Sequence, residues 1–216
     1  MKVSSVLEHL VPPFVACSES ARDLDIDLFP SEREALGRAV EKRRREFTSG
    51  RACAREALER LGAPVVAIPS GPRGEPVWPA GIVGSITHCR GYRACAVASS
   101  EAVTALGIDA EPNDPLPHGV LEDVLHGREL ALRGRDPVDL PRLVFSAKEA
   151  VYKAWFPLTG RWLGFEDVEV SVDLAGGGFQ ARLLVPGPVV AGAPINEFMG
   201  RWTLQDGIIG TAVVVP

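Results

Sequence analysis

Three charged residues stand inside an apolar helical pattern at residues 145–155, which read FSAKEAVYKAW. Glu149 and Lys153 are four residues apart, so a helix places them side by side, with Lys148 on their flank. A surface ion pair is the ordinary interpretation of this spacing. The neighbouring aromatic residues favour instead a site that uses a carboxylate and a cation together, if other parts of the chain supply partners.

Two more carboxylates lie at the end of a strand-like run at residues 103–109. Alternation along a strand puts Asp109 and Glu111 on the same face. With Glu149 they provide three carboxylates, which suit Mg²⁺, whereas zinc is disfavoured because no Cys or His stands at zinc-ligand spacing. An Asp-x-Glu motif before a proline also opens ordinary turns, so this motif depends on the others.

Cationic residues that could bind phosphate precede these motifs. The densest positive cluster is KRRR at residues 42–45, and Arg51 and Arg55 follow on a helical run. Taken alone, the cluster is equally consistent with a solvated helix end that complements its own dipole.

A turning loop and a histidine follow this basic segment. SGPRGEPVWP at residues 70–79 is too rich in Gly and Pro for a helix, and it carries Arg73 and Glu75 at its tip. His88 stands at a later turn, where most histidines are simply solvated. A Mg²⁺ site that faces several cationic groups is nevertheless the arrangement that phosphoryl transfer needs.

The elements that must position these residues predict an α+β fold. Residues 29–40 begin a first helix that runs into the basic cluster, and a second helix starts near Thr48 and ends at Gly62. Strand-like runs at 82–87, 94–99 and 103–109 suit an antiparallel meander. Further elements are a helix-like segment at 121–132, a long helix at 140–155 and antiparallel strands at 168–172, 179–185, 198–204 and 208–215.

An internal repeat predicts two similar halves. The run from Phe47 aligns with the run from Phe145, which pairs Arg55 with Lys153, and PSEREAL upstream of the first run resembles GRELAL upstream of the second. We therefore expect a pseudo-twofold axis with a cleft between the halves. The halves are residues 1–108, with the anion-binding groups, and residues 109–216, with the metal-binding and catalytic groups.

Composition limits the classes of protein that fit. The chain has 216 residues, 46% of them hydrophobic, with a net charge of −5 and a pI near 5.5, which argues against bulk binding of nucleic acid or anionic membranes. No signal peptide and no apolar run of about 20 residues is visible. The four cysteines form no CxxC pair and are interpreted as reduced thiols of a cytoplasmic protein.

Two motifs carry a resemblance to a known family. GIDAEP at 107–112 and FSAKEAVYKAW at 145–155 resemble the signature motifs of the 4′-phosphopantetheinyl transferases, and so do GPRGEPVWP and GSITHCRGYRACAVA. The resemblance runs over residues 29–172 and is closest to the monomeric surfactin/enterobactin-type enzymes, particularly actinobacterial ones. It implies a pseudo-dimeric α+β fold within a single chain.

The resemblance also implies an activity. Such an enzyme moves the phosphopantetheine arm of coenzyme A (CoA) to a serine of an apo acyl or peptidyl carrier protein, with Mg²⁺ (or Mn²⁺), and releases 3′,5′-ADP. The resemblance does not say whether the carrier belongs to fatty acid, polyketide or nonribosomal peptide synthesis. Secondary metabolite biosynthesis is thus one of the expected roles. Two alternatives stay in view: a non-catalytic CoA or nucleotide-binding module, and a Mg²⁺-dependent pyrophosphohydrolase.

The same resemblance implies roles for individual residues. Asp109, Glu111 and Glu149 would hold the metal, Glu149 would help to deprotonate the carrier serine, and Lys153 would neutralise charge on the transferred phosphate. The implied catalytic residues are Glu149, Lys153 and Asp109. The implied CoA-binding residues are Arg43, Arg51, Arg73, Gly74, Glu75, Thr87, His88, Lys148 and Lys153.

Two points stay open at the level of sequence. Several relatives have Lys where this chain has Glu75, so the chain departs from the family pattern at that position. Carrier proteins are usually acidic, so docking on this acidic protein needs a local basic surface. Its candidates are Arg128, Arg133, Arg135 and Arg142.

Overall fold

The computed structural model describes residues 5–132, 134 and 137–216 of the chain. The described elements are β1 Ala16–Ser20, α1 Pro30–Leu36, α2 Glu41–Leu61, β2 Ile82–Cys89, β3 Tyr92–Ser99, β4 Ala105–Pro112, α3 Val120–Val124, a 3-10 turn Gly127–Ala131, α4 Leu140–Thr159, a second 3-10 turn Phe165–Asp167, β5 Val168–Asp173, β6 Gly178–Leu183, β7 Val189–Val190, β8 Ala193–Pro194, β9 Glu197–Gln205 and β10 Ile208–Val215.

The strands form two antiparallel sheets, each packed against one long helix. The first sheet has the order β1-β3-β2 and carries α2; the second has the order β4-β10-β9-β6-β5 and carries α4. β7 and β8 form a separate small hairpin. The predicted α+β fold class is confirmed.

The edge strands of the two sheets meet where the halves join. Ser85 Oγ on β2 accepts a hydrogen bond from the amide of Ile108 on β4 at 3.1 Å, and Thr87 Oγ1 accepts one from the amide of Ala110 at 3.1 Å. The predicted three-stranded meander is therefore wrong in its last strand. β2 and β3 form a hairpin, but β4 pairs along its whole length with β10.

The predicted helix boundary near Thr48 is also wrong. α1 ends at Gly37, whose φ of 46° suits glycine, and α2 then runs without a break from Glu41 to Leu61. The basic residues 42–45 consequently lie in the first turns of α2. They cannot complement a helix dipole there, because the N-terminal end of a helix is its positive end. Gly62 ends α2 with a φ of 76°, as predicted.

A close approach of α4 to β4 holds the second half together. A side chain at Gly107 would overlap the backbone carbonyl of Ala150, so only glycine lets the strand lie this near the helix. Trp155 is the largest buried side chain of the surrounding core, 1% exposed. Because β4 is one continuous strand, the predicted boundary at residue 108 falls inside it, and a division in the turn at 100–104 would keep it whole.

Two findings concern the predicted class of protein. Within the described ranges, no helix has the length and apolar character needed to cross a bilayer. All four cysteines are free thiols, and burial raises the pKa of Cys17 to about 12 and of Cys53 to about 11. These thiols are therefore protonated near neutral pH.

Candidate active site

α4 and β4 bring together the two motifs that the sequence placed forty residues apart. Lys153 Nζ on α4 donates to Asp109 Oδ1 on β4 at 2.7 Å and to the carbonyl of Ile108 at 3.1 Å. α4 is positioned at its start by Asp139, whose carboxylate accepts a hydrogen bond from the amide of Arg142 at 3.0 Å. The Lys153–Asp109 ion pair joins the helix to the strand.

Asp109 is the most buried carboxylate of the predicted site, 4% exposed. Its Oδ1 also accepts a hydrogen bond from Thr87 Oγ1 at 3.1 Å. Its Oδ2 is buried and has no hydrogen-bond partner in the part of the chain that the structure describes. A buried carboxylate oxygen without a donor is costly unless something binds it, so Oδ2 fits a cation ligand.

Glu149 lies near Asp109 and Lys153 on the same side of α4. Burial raises the pKa of Glu149, the positive charge of Lys153 lowers it, and the negative charge of Asp109 raises it further. The predicted neighbourhood of these three residues is therefore present in the fold. A carboxylate with a raised pKa is a better proton acceptor than an ordinary one.

Glu111 is held by an arginine. Its Oε2 accepts a hydrogen bond from Arg142 Nη1 at 2.9 Å, while burial and the charge of Asp109 together raise its pKa to about 7. No three acidic, His or Cys side chains among the described residues converge closely enough to enclose a metal ion. The donor set still fits Mg²⁺, since Asp109, Glu111 and Glu149 offer only carboxylate oxygens and one of these has no donor among the described residues.

A cavity of about 260 Å³ lies between α2 and the Gly-rich loop. Arg43 and Phe47 of α2 line one side, and Ser70, Gly71 and Gly74 line the other. Its lining thus combines a cation, an aromatic ring and loop backbone. A larger cavity of about 470 Å³ opens on another face of α2 and includes none of the predicted site residues.

Arg51 holds the start of the loop that borders this cavity. Its Nε donates to the carbonyl of Ile68 at 2.9 Å and its Nη2 donates to Ser70 Oγ at 3.3 Å, and it is 5% exposed. Burial lowers its pKa to about 10, so it remains a cation near neutral pH. Arg51, predicted to bind CoA phosphate, is thus not a lining residue of the cavity; it lies behind Ser70 and fixes the loop.

The loop tip spans the cleft between the halves. The amide of Arg73 donates to Glu75 Oε2 at 2.9 Å, which closes the tip on itself. The guanidinium of Arg73 lies over the ring of Phe156 on α4, 5.6 Å from its centroid. Glu75 therefore has a structural partner within the loop.

His88 is close to charged residues from both halves. Burial lowers its pKa, the carboxylate of Glu46 raises it, and the cations Lys153, Arg43 and Arg93 lower it. Its Nδ1 is 4.0 Å from Glu46 Oε2. This surrounding of cations is typical of a position that receives an anion.

Two predicted CoA-binding residues do not face the cleft as ligands. Lys148 is 2% exposed, and its ammonium donates to Glu129 Oε2 and to the carbonyls of Val124 and Phe165. Thr87 is 2% exposed and its hydroxyl is bonded within the β2–β4 junction. Both residues hold the fold, and neither is retained in the proposed CoA site.

The predicted docking arginines differ in their surroundings. Arg128 is exposed, whereas Arg142 is 12% exposed at its side chain and engaged with Glu111. Arg133 and Arg135 lie outside the described residues. Sequence reasoning missed the contact of Arg142 with Glu111 because 31 residues separate them; their local motifs carry no signal for it.

Comparison with known proteins identifies the class of the chain. A sequence model described as the 4′-phosphopantetheinyl transferase N-terminal domain matches residues 31–98, and one described as the 4′-phosphopantetheinyl transferase superfamily matches residues 105–189. The first match covers most of α1, α2, β2 and most of β3, and the second runs from β4 to β7. The chain belongs to the 4′-phosphopantetheinyl transferase superfamily, which confirms the resemblance carried by its motifs.

Three characterised relatives are similar over nearly the whole chain. The chain is 49% identical to the 4′-phosphopantetheinyl transferase Svp of Streptomyces mobaraensis, over 97% of this chain and 89% of the relative. It is 46% identical to Npt of Nocardia iowensis, over 96% and 99% respectively. It is 45% identical to PptT of Mycobacterium tuberculosis, over 99% and 97%.

Proposed function

We propose that the protein transfers the 4′-phosphopantetheine arm of CoA to a serine of an apo acyl or peptidyl carrier protein and releases 3′,5′-ADP. The family and its similar relatives support this activity. The observation that carries it is the Lys153–Asp109 ion pair of 2.7 Å, with Glu149 beside it, on the α4 side of a cleft. The phosphate-binding groups His88 and Arg43 approach from the other half.

The chemistry is one displacement at phosphorus. The carrier serine oxygen forms a bond to the phosphorus that bears the pantetheine, and the bond from that phosphorus to the 3′,5′-ADP oxygen breaks. Glu149 accepts the serine proton, directly or through a water molecule. Lys153 stabilises the negative charge that develops on the transferred phosphate and on the leaving group.

A divalent cation fits the carboxylates of this site. Mg²⁺, or Mn²⁺ in its place, would be held by Asp109, Glu111 and Glu149 and would neutralise the charge of the CoA pyrophosphate. Asp109 Oδ2, a buried oxygen to which no described residue donates a hydrogen bond, supports this assignment. In the free protein Lys153 and Arg142 partly balance the carboxylate charges.

The proposed CoA site extends from the smaller cavity, which Arg43 and Gly74 line, towards Lys153 on α4. Arg43 and His88 would bind phosphate, and Lys153 would reach the pyrophosphate from α4. Gly74, Arg73 and Glu75 would line the nucleotide through the loop, whose backbone Arg51 holds in place. Lys148 and Thr87 are left out because their polar atoms are used elsewhere.

The proposal includes three further features. Both sides of the cleft come from one chain, so the enzyme acts as a monomer of the surfactin/enterobactin type, with two halves close to residues 1–108 and 109–216. It works in the cytoplasm, where CoA and carrier proteins occur. Its carriers belong to fatty acid, polyketide or nonribosomal peptide synthesis, and Arg128 is the exposed candidate for docking them.

One incubation separates the proposal from its alternatives. The protein is mixed with CoA, Mg²⁺ and a panel of apo carriers, and intact mass spectrometry follows the carrier while chromatography follows 3′,5′-ADP. Gain of one phosphopantetheine on the carrier serine is expected. Binding of CoA with no product would indicate a binding module, and cleavage of CoA without a carrier would indicate a pyrophosphohydrolase.

A further inference from the structure

Arg142 is fixed at the edge of the candidate metal site by three acceptors. Its Nε donates to the carbonyl of Asp114 at 2.9 Å, its Nη2 to the carbonyl of Pro115 at 2.7 Å and its Nη1 to Glu111 Oε2 at 2.9 Å. Two of these acceptors are backbone atoms of the segment that follows β4. The place of the guanidinium therefore does not depend on the Glu111 side chain.

The backbone around this guanidinium is itself anchored. Asn113 Nδ2 donates to the carbonyl of Pro137 at 3.0 Å, and Asn113 Oδ1 accepts a hydrogen bond from the amide of Asp139 at 2.8 Å. Asp139 in turn caps α4 by accepting from the amide of Arg142. The segment after β4 and the first turn of α4 thus form one hydrogen-bonded unit, with Arg142 pointing back from it to Glu111.

The Glu111 side chain needs such support. Its carboxylate is 19% exposed and close to the charge of Asp109, so the two carboxylates repel each other in a partly desolvated place. The contact with Arg142 uses Oε2, and it both balances the charge and limits the rotamers that Glu111 adopts. Carboxylates that bind a metal are commonly hydrogen-bonded by outer groups, which orient them for the metal.

We infer that Arg142 is a positioning residue that holds Glu111 ready as a metal ligand and connects the metal site to the first turn of α4. Arg142 acts through Glu111. The inference rests on the proposed function, because it takes Glu111 as a metal ligand. The opposite role, a gate in which Arg142 keeps Glu111 away from the metal, predicts a change of the opposite sign.

Metal affinity measured with Mn²⁺ tests this role without any need for turnover. The free Mn²⁺ signal in electron paramagnetic resonance is titrated against the full-length protein, with CoA present and absent, for the wild type, Arg142→Gln and Arg142→Lys. We expect Arg142→Gln to weaken Mn²⁺ binding about 10- to 100-fold. Arg142→Lys should recover part of the affinity, since an ammonium keeps the charge but cannot reach all three acceptors.

Arg90→Gln is the matched control. Arg90 is an arginine whose Nη2 binds Asp114 Oδ2 at 2.6 Å, on the same segment, but its side chain is 81% exposed and does not contact Glu111. Its replacement should leave Mn²⁺ affinity unchanged. Glu111→Gln should weaken Mn²⁺ binding, and adding Arg142→Gln to it should have little further effect, because Arg142 acts through Glu111.

The outcomes separate this inference from the proposed function. Unchanged or tighter Mn²⁺ binding by Arg142→Gln, in a variant whose thermal unfolding remains cooperative, overturns the positioning role even if the wild type modifies carriers. Absence of Mn²⁺ binding by the wild type, with and without CoA, overturns the metal assignment and the positioning role together. A wild type that binds Mn²⁺ but modifies no carrier contradicts the proposed function alone, and the Arg142 comparison still stands.

Discussion

Lys148 and Glu129 form an ion pair of 2.7 Å in the interior of the second half, where each side chain is about 1% exposed. The other oxygen of Glu129, Oε1, accepts a hydrogen bond from the amide of Val170 on β5. Lys148 also donates hydrogen bonds to the carbonyls of Val124 and Phe165. The pair therefore connects α4 and β5 with the segments that precede them. A residue that lies beside the proposed catalytic Glu149 in sequence thus has a structural role.

The first half contains a counterpart of this pair. Glu32 is completely buried and accepts hydrogen bonds from the amides of Phe29 and Ile68, at 2.9 Å each, and from Arg55 Nη2 at 2.6 Å. Glu32 and Glu129 therefore each bind the start of their own short helix, a distant backbone amide and a cation of the long helix. The sequence alignment paired Arg55 with Lys153. In the structure, however, the cation that binds the buried glutamate of the second half is Lys148.

Replacement of Lys148 tests its structural role. Lys148→Met leaves the buried Glu129 without a cation, and we expect the free energy of unfolding to fall by about 3–5 kcal/mol in urea titrations. The control is Arg182→Met, which removes an exposed partner of Glu169, 2.6 Å away, and should cost about 1 kcal/mol or less. Normal stability of Lys148→Met combined with weaker CoA binding would return Lys148 to the CoA site.

Replacement of Glu149 by glutamine tests its proposed catalytic role. Glu149→Gln removes the proton acceptor and a metal ligand but keeps the size of the side chain, so transfer to a carrier should fall by at least about 10²- to 10⁴-fold. CoA affinity, measured by calorimetry, should change little, because the cationic CoA-binding groups remain. If the variant instead fails to fold, Glu149 is a structural residue like Lys148.

The close packing of β4 against α4 at Gly107 should leave no room for a side chain. Gly107→Ala forces a methyl group against the carbonyl of Ala150, and we expect a loss of about 1–3 kcal/mol or more in the free energy of unfolding. Gly178→Ala is the matched control in a strand, because its added carbon would meet the nearest atom, the carbonyl oxygen of Gly200, at an ordinary 3.8 Å. Equal stability of the two variants would show that α4 can move away from β4.

Proton uptake should accompany CoA binding at His88. Burial and the cations Lys153, Arg43 and Arg93 outweigh Glu46 and lower its pKa, so His88 is neutral at pH 7 in the free protein. A bound phosphate favours the charged imidazole and raises this pKa in the complex. The contribution of His88 to affinity should therefore increase as pH falls through the pKa of the complex and level off below the pKa of the free protein.

Calorimetry in buffers of different ionisation enthalpy measures the number of protons taken up near pH 7. The comparison is with His88→Gln, since the phosphates of CoA and other groups of the site titrate equally in both proteins. The wild type should take up more protons than the variant. The same uptake in both would mean that His88 does not contact a phosphate of CoA.

Local patterns predicted much of the fold and of the site. The four-residue spacing placed Glu149 and Lys153 together, strand alternation placed Asp109 and Glu111 on one face, and four terminal strands were predicted within a few residues of their bounds. These features depend on the geometry of single elements. The predicted helix start near Thr48 was wrong, because local sequence signals do not separate the end of one helix from the start of the next there. The packing of α2 along β1 and β3 favours one continuous helix.

The sequence by itself determined which residues could do chemistry and on which element each one lies. It did not determine which of two lysines faces the cleft. Lys148 and Lys153 are five residues apart and point about 140° away from each other around α4, so they cannot share one partner. Only the tertiary structure decides that Lys148 is buried with Glu129 and that Lys153 meets Asp109, because both partners come from distant segments whose approach depends on the packing of α4 against the second sheet.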